Sequence, residues 1–448
     1  MSHLPTIEPK EKIGLFSLTA IALNGIVGAA IFVLPATMAK MVGQAASIFP
    51  YVIAFSVALL IGLCFAELGT ISQASGGPYV YARQAFGDLA GFEAGWLFIL
   101  ARLTAVAAIA DVFASYLAYF IPIASSVHWR IIFITLLLFL LSGAHCLGLR
   151  FGVYILNSIT VGKLFPLVLL ILVGVFWVHQ PRQYLLTLPA MVSLRKASLL
   201  LVFAFTGFEY ASVPSEEVVN SRRTTPLAMI LAICFTGVLY VLIQIVAIST
   251  VPNLATNTTP LATAAEHIFG SSGSDFITLG ALLSSAGTIS AATLVGPRIM
   301  HALARGGQLP EFVGRIHPRF GTPWVSIALF AIMAWVCAVF GNFAALAALS
   351  SIARLLYYIA CCLAVPALRT RFKRSVTRAS NIVVGMAIAL CLWLLTSVTW
   401  KQTFIGVAAL LVGAVIYWSY GRWGRCTSVV NASSRISGDA DRVGRYQG

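Results

Sequence analysis

Long apolar stretches recur along the whole chain, and short polar connections separate them. A helix of about 20 apolar residues spans the hydrocarbon core of a bilayer. The pattern therefore predicts an all-α polytopic membrane protein with about twelve transmembrane helices. The predicted spans are 15–41, 48–71, 89–121, 131–147, 151–178, 197–219, 226–249, 276–304, 323–340, 343–368, 382–399 and 404–420.

Two of these predicted helices are interrupted by glycine. The first interruption, at 24–32, contains Gly25 and Gly28, and the second, at 203–209, contains Gly207 and lies five spans later. A membrane helix satisfies its backbone polar groups internally, so unwinding at this depth is tolerated only beside a cavity or inside protein. Paired interruptions of this kind point to the substrate site of a secondary transporter.

An unwound helix leaves free N–H groups where its second half begins and free C=O groups where its first half ends. The N–H groups carry partial positive charge and attract a carboxylate. In the first interruption, Gly28, Ala29 and Ala30 would offer these N–H groups. The alternative is that the glycines at both interruptions only permit close packing between helices.

Free carbonyls attract an ammonium group, and a zwitterionic α-amino acid carries both of the required charges. Carbonyls of Ile26, Phe203 and Thr206 would accept the ammonium group. Ala204 and Gly207 complete the predicted substrate-binding residues. The predicted substrate is therefore a small molecule, an amino acid.

Lys163 lies in the fifth predicted span, where a charged side chain costs at least about 2.5 kcal/mol on insertion scales, and it is a functional candidate for that reason. A lysine held away from water can load and release a proton. We therefore predict that Lys163 couples transport to proton movement. The alternative is an amine that only braces the first interruption by donating to its carbonyls, and the two roles are compatible.

Three other charged residues lie inside predicted spans near the interruptions. Glu209 would cap the second interruption or form a local ion pair. Arg102 could face Glu209 or the substrate, since Asp111, nine positions along the same helix, is too far away to pair with it. Arg354 could take either place from the tenth span. An arginine that reached the pocket unpaired would favour acidic substrates, but paired structural arginines are the expectation.

Composition and charge agree with a membrane protein. The 448 residues are 59% hydrophobic and 10% charged, and the net charge is +15. Most basic residues lie in alternate connections, such as Arg222 with Arg223 and the run at 369–378, whereas the loop at 251–275 has none. This positive-inside pattern places both termini in the cytoplasm and requires an even number of spans. It argues against a nucleic-acid partner, which would need its basic residues on one folded surface.

Motifs of enzymes and of ATP-driven pumps are missing from the sequence. It contains no P-loop, Rossmann fingerprint, H-E-x-x-H or nucleophile elbow. Its seven histidines lie scattered without metal-ligand spacing, and its eight cysteines show no C-x-x-C pattern. The chain is thus predicted to be no enzyme and to use no cofactor or metal, with a proton as the coupling ion.

Several motifs resemble those of the amino acid–polyamine–organocation superfamily. G-I-V-G-A-A-I-F-V-L-P at 25–35 resembles its first-helix signature, and F-A-F-T-G-F-E at 203–209 resembles its sixth-helix signature. Further similarity lies at 76–96, 216–226 and 297–323, so the resemblance covers nearly the whole chain.

This resemblance implies a five-plus-five inverted repeat with discontinuous first and sixth helices and two peripheral helices. The repeats would be 15–178 and 197–368, and the peripheral helices 382–420, between a cytoplasmic segment 1–14 and a disordered cytoplasmic tail 421–448.

The resemblance also implies roles for single residues. Phe203 would close over the substrate. Lys163 would take the space that a sodium ion fills in sodium-coupled relatives. Relatives usually have glycine where this chain has Ala30, so a methyl group enters the predicted site.

Together these inferences predict a secondary active transporter of amino acids that works by alternating access, as a proton-coupled symporter. Its predicted location is the lipid bilayer of the plasma (inner) membrane. The alternatives are an amino acid/amine exchanger or polyamine carrier, and an amino acid sensor that does not transport.

Overall fold

The computed structural model describes residues 12–178, 190–341, 343–373, 378–396, 398 and 400–420. Most of the predicted segment 1–14 and the whole predicted tail 421–448 lie outside the described residues. Within the described ranges the chain forms fifteen α-helices. They are α1 Leu15–Ile26, α2 Leu34–Val42, α3 Phe49–Ile71, α4 Pro78–Phe86, α5 Asp88–Phe120, α6 Val127–Cys146, α7 Leu149–Gly174, α8 Met191–Ala204, α9 Ser221–Thr250, α10 Pro260–Phe269, α11 Ser271–Arg305, α12 Trp324–Phe340, α13 Phe343–Arg371, α14 Arg378–Leu395 and α15 Trp400–Tyr420.

The predicted all-helical membrane architecture is confirmed in its main features. In the described part of the chain, nine helical segments are long and apolar enough to cross a membrane. Shorter apolar helices lie at Leu15–Ile26, Trp324–Phe340 and Ser380–Leu395. Each of the twelve predicted stretches overlaps one of these helices.

Two helices that the apolar pattern did not predict lie in connections. α4 and α10 are nine and ten residues long, too short to cross a bilayer. Each begins with proline, whose ring favours the first helical turn, and each is followed by glycine with positive φ, Gly87 at 93° and Gly270 at 76°. The sequence therefore marked both helices by a proline at the start and a glycine directly after the end.

Helices α5 and α11 form the centre of the bundle. In their most apolar stretches, 72% of α5 and 83% of α11 is buried inside the protein, against 17% for α6 and α15. α5 packs along both α11 and α13, and α3 packs along α9. The buried pair is lined by small residues and polar hydroxyls, which allow close helix contact in a bilayer.

Both predicted interruptions are present. α1 ends at Ile26, a short 3-10 turn covers Ala29–Phe32, and α2 begins at Leu34. α8 ends at Ala204, and a 3-10 turn at Phe208–Ser212 follows.

The two interruptions touch each other through glycine. A methyl group on Gly207 would lie 2.2 Å from the carbonyl carbon of Gly25, and one on Gly25 would lie 2.6 Å from the carbonyl oxygen of Gly207. Gly207 also has φ of 124°, a conformation that only glycine adopts without strain. At these two positions the lack of a side chain in glycine allows the interrupted segments to touch.

We predict that Gly25→Ala destabilises the protein, because the added methyl group meets backbone atoms that cannot turn aside. Overpacking of this kind costs about 1–3 kcal/mol, so the unfolding temperature in detergent should fall. Gly143→Ala, in α6, is the matched control, since nothing lies within 4 Å of its added methyl group. Equal unfolding temperatures for the two variants would contradict the close contact.

Candidate substrate-binding site

A cavity of about 40 Å³ lies between the two interruptions. Seven of the eight predicted substrate-binding residues line it, and Gly207, which packs against Gly25, does not. Its lining residues are Gly25, Ile26, Gly28, Ala29, Ala30, Ala105, Val106, Ile109, Phe203, Ala204, Thr206, Tyr210, Thr288, Ala292 and Arg354.

A second, larger cavity of about 540 Å³ adjoins the first. Ala29, Ala30, Ile109 and Phe203 line both. The larger cavity extends along α2 and α8, and residues from α5 and α13 also line it. Phe203 therefore stands where the two cavities meet, a position from which its ring could close the smaller one.

The amide groups of the first interruption divide into used and free ones. The N–H of Gly28 donates to the carbonyl of Ile26 at 2.9 Å, so Gly28 lines the cavity without offering its amide. The N–H groups of Ala29 and Ala30 have no acceptor among the described residues. These two residues begin the 3-10 turn, where N–H groups have no partner within the helix.

Two of the predicted carbonyl acceptors already have donors. The Ile26 oxygen accepts from the N–H of Gly28 and, at 3.1 Å, from the hydroxyl of Tyr240. The Phe203 oxygen accepts from the hydroxyl of Thr206 at 2.7 Å. A carbonyl has two lone pairs, so the Ile26 oxygen has no capacity left for a substrate.

Two carbonyls of the second interruption accept fewer hydrogen bonds. The Ala204 oxygen has one long contact, 3.5 Å from the hydroxyl of Tyr240, and the Thr206 oxygen has no donor in the described ranges. Tyr240, in α9, thus reaches both interruptions through one hydroxyl. Sequence reasoning missed it because a tyrosine in an apolar span carries no distinguishing pattern.

Lys163 is fully buried and bound to the end of α1. Its Nζ donates to the carbonyl of Val27 at 2.6 Å and lies 3.4 Å from that of Leu23. Ser284 donates to the same Val27 oxygen at 3.0 Å. Among the described side chains no carboxylate pairs with Lys163. The predicted bracing contact is therefore present. The role of Lys163 in proton coupling stays a prediction.

Glu209 is fully buried and satisfied by four donors. One carboxylate oxygen accepts from Tyr357 at 2.7 Å and lies 3.3 Å from Nη2 of Arg102. The other accepts from Tyr358 and from the N–H of Gly207, both at 2.9 Å. Glu209 thus caps the second interruption and pairs with Arg102 at once, and both charges are fully buried.

Of the remaining intramembrane charges, Asp111 is paired with an opposite charge, whereas Arg354 has no carboxylate partner among the described residues. Asp111 pairs with Arg130 of α6, whose Nε lies 2.9 Å from its carboxylate. Arg354 lines the small cavity, but no carboxylate pairs with it in the described part of the chain. The expectation of paired arginines therefore holds for Arg102 and is wrong for Arg354, because the carboxylate of Glu209 is already occupied by other donors.

The start of the first interrupted helix is bonded to the end of the second, on the side of the site away from the larger cavity. Ile13, before α1, exchanges backbone hydrogen bonds with the segment after the second interruption, its N–H donating to Glu217 at 2.7 Å and its oxygen accepting from Val219 at 3.0 Å. Glu217 also forms a two-pronged ion pair with Arg298 of α11, with both contacts at 2.8 Å. The structure is therefore closed at this end and hollow at the other.

An apolar helical bundle in which two interrupted helices surround a cavity is the arrangement of a membrane transporter. The chain belongs to the amino acid permease family, within the amino acid–polyamine–organocation superfamily, and the family model matches residues 13–422. The superfamily resemblance is thus confirmed, and the family is one of transporters, not of enzymes.

Individual relatives match over most of their length. The serine/threonine exchanger SteT of Bacillus subtilis (strain 168) is 27% identical over 377 residues, covering 81% of this chain and 84% of the relative. The branched-chain amino acid permease BcaP of the same organism is 27% identical, with 92% and 93% covered. A methylthioribose transporter, also from that organism, is 28% identical, with 91% and 92% covered.

We predict that Glu209→Gln destabilises the protein by about 3–5 kcal/mol, since it leaves Arg102 buried without an opposite charge. The measurement is the unfolding temperature of the purified protein in detergent.

Asp88→Asn is the matched control for Glu209→Gln. Asp88 pairs with Arg83 at 2.6 Å, but its side chain is 58% exposed, and exposed pairs contribute about 0–1 kcal/mol. A shift as large for Asp88→Asn as for Glu209→Gln would contradict the structural importance of the buried pair.

Proposed function

We propose that this protein carries an α-amino acid across a membrane by alternating access. The carboxylate would bind the free N–H groups of Ala29 and Ala30, and the ammonium group would bind the carbonyls of Ala204 and Thr206. The observation that supports this most is that the free amides and the least committed carbonyls face one cavity from two interrupted helices. A helix start stabilises an anion and a helix end stabilises a cation, so the pair matches a zwitterion.

Alternating access is supported by the asymmetry between the two ends of the interrupted helices. The larger cavity adjoins the site on one side, while the Ile13 backbone contacts and the Glu217–Arg298 pair close the other. In the proposed cycle Phe203 closes over the substrate, the larger cavity collapses, and these contacts then part. The helices that carry both interruptions would rock against the rest of the bundle.

The architecture we propose has twelve spans. Two five-helix repeats, 15–178 and 197–368, would be inverted relative to each other, and 382–420 would be peripheral, in line with the low burial of α15. The basic connections support an orientation with both termini in the cytoplasm, and we propose the plasma (inner) membrane as the location. The closed end of the structure would then be the cytoplasmic end.

The proposed energy source is a proton gradient, used by proton-coupled symport through Lys163. A protonated amine makes stronger hydrogen bonds than a neutral one, so loss of the proton weakens its hold on the Val27 carbonyl. The first interruption would then move more freely. Exchange of one substrate for another is the second candidate, because the relative SteT is named as an exchanger.

We predict that uptake into proteoliposomes follows an imposed proton gradient, and that Lys163→Ala loses this dependence while it retains substrate binding. Ser284→Ala is the matched control, since it removes a donor to the same Val27 oxygen but carries no titratable proton. Gradient-dependent uptake by Lys163→Ala would remove Lys163 from the coupling role.

We also predict that the amine formed by decarboxylation of the transported amino acid competes at least about 100-fold more weakly than the amino acid itself. The amine lacks the group that would bind the Ala29 and Ala30 amides, and hydrogen bonds to a charged group contribute about 1.5–3 kcal/mol each. The measurement is inhibition of labelled uptake. Equal competition would favour a polyamine carrier, and binding without flux would favour a sensor.

A further inference from the structure

Arg354 faces the proposed substrate cavity, and no carboxylate in the described ranges pairs with its positive charge. The residue is only 6% exposed, and it lines the small cavity. A guanidinium has five N–H donors, yet its one hydrogen bond among the described residues is a long one, 3.4 Å from Nη1 to the Phe203 oxygen. Its Nε is buried without any partner. The guanidinium also lies over the ring of Phe203, 4.7 Å from the centroid.

The charges around the interruptions do not balance. Glu209 neutralises Arg102, with which it pairs at 3.3 Å, and has no capacity left for a second arginine. Among the described lining residues, Arg354 is the one charged residue of the small cavity, and Lys196 is the one charged residue of the larger cavity. A ligand in this cavity system therefore meets positive charge and no negative side chain in the described lining. Such a lining raises the local concentration of anions and favours their entry.

We infer that Arg354 binds a second anionic group of the substrate, so the transported amino acid has an acidic side chain. This inference rests on the proposed function. A neutral zwitterion would satisfy the amides of Ala29 and Ala30 and the free carbonyls, but would leave the buried guanidinium without a counter-charge. An acidic side chain supplies it, and the planar guanidinium matches a carboxylate through two parallel hydrogen bonds.

Arg354 stacks on Phe203, so the binding of a substrate carboxylate to Arg354 also affects Phe203. Phe203 lines both cavities, so a substrate carboxylate that binds Arg354 also orders the residue proposed to close the site. An amide side chain of the same shape cannot provide the charge. Glutamate and glutamine are therefore the matched pair of probes, since they differ in charge and hardly in size.

The test is initial uptake of labelled glutamate and labelled glutamine, each at low concentration, into proteoliposomes that contain the full chain. The wild type should prefer glutamate on the order of 100-fold, as expected when a buried polar group is left unpaired by the wrong substrate. Arg354→Gln should reduce this preference to less than about tenfold while glutamine uptake persists. A residue with a purely structural role would lower both rates together and leave the ratio unchanged.

Lys40→Gln is the matched control, because it removes an exposed positive charge at the end of α2 that lines neither cavity, and it should keep the wild-type ratio. If Arg354→Gln does not fold, the wild-type ratio decides. Uptake of neutral amino acids with no preference for glutamate would overturn this inference and leave the proposed function standing. No uptake of any amino acid in a complete panel would overturn both.

Discussion

Backbone polar groups cannot remain unsatisfied inside a bilayer, and this constraint governs the organisation of the whole protein. Wherever the helices are continuous the constraint is met locally, but at the two interruptions it must be met by side chains from other helices. Lys163 donates to the end of α1, Tyr240 donates to the Ile26 carbonyl, and Glu209 accepts from the amide of Gly207. The amides of Ala29 and Ala30, which have no acceptor in the part of the chain that the structure describes, belong to residues that line the cavity.

Two of the buried cations, Lys163 and Arg354, are held by peptide dipoles. Lys163 binds the Val27 carbonyl and Arg354 the Phe203 carbonyl, and each carbonyl lies where a helix ends. The C-terminal end of a helix carries partial negative charge, so it can hold a cation without a carboxylate. Arg102 differs because Glu209 supplies a full counter-charge. This difference leaves Arg354 with binding capacity to spare.

The antiparallel course of the two interrupted helices produces sidedness. Residues before the first interruption lie beside residues after the second, as the pairing of Ile13 with the Glu217–Val219 segment illustrates. Residues after the first interruption lie beside residues before the second, where the larger cavity opens. One end can therefore be held by specific polar contacts while the other is hollow, and the glycine contact of Gly25 with Gly207 lies between them.

The apolar and glycine patterns of the sequence were enough to predict the helical membrane class, the positions of both interruptions and seven of the fifteen residues that line the small cavity. These features depend on the length of apolar stretches and on glycine, which act locally. Which backbone groups remain free depends on the packing of distant helices, because partners such as Tyr240 lie far away in the chain. The contact of Gly207 with Gly25 and the lack of an acidic partner for Arg354 among the described residues likewise depend on which helix faces turn inward. Apolar spans in a bilayer are hydrophobic on every side, so their sequence pattern does not specify that orientation.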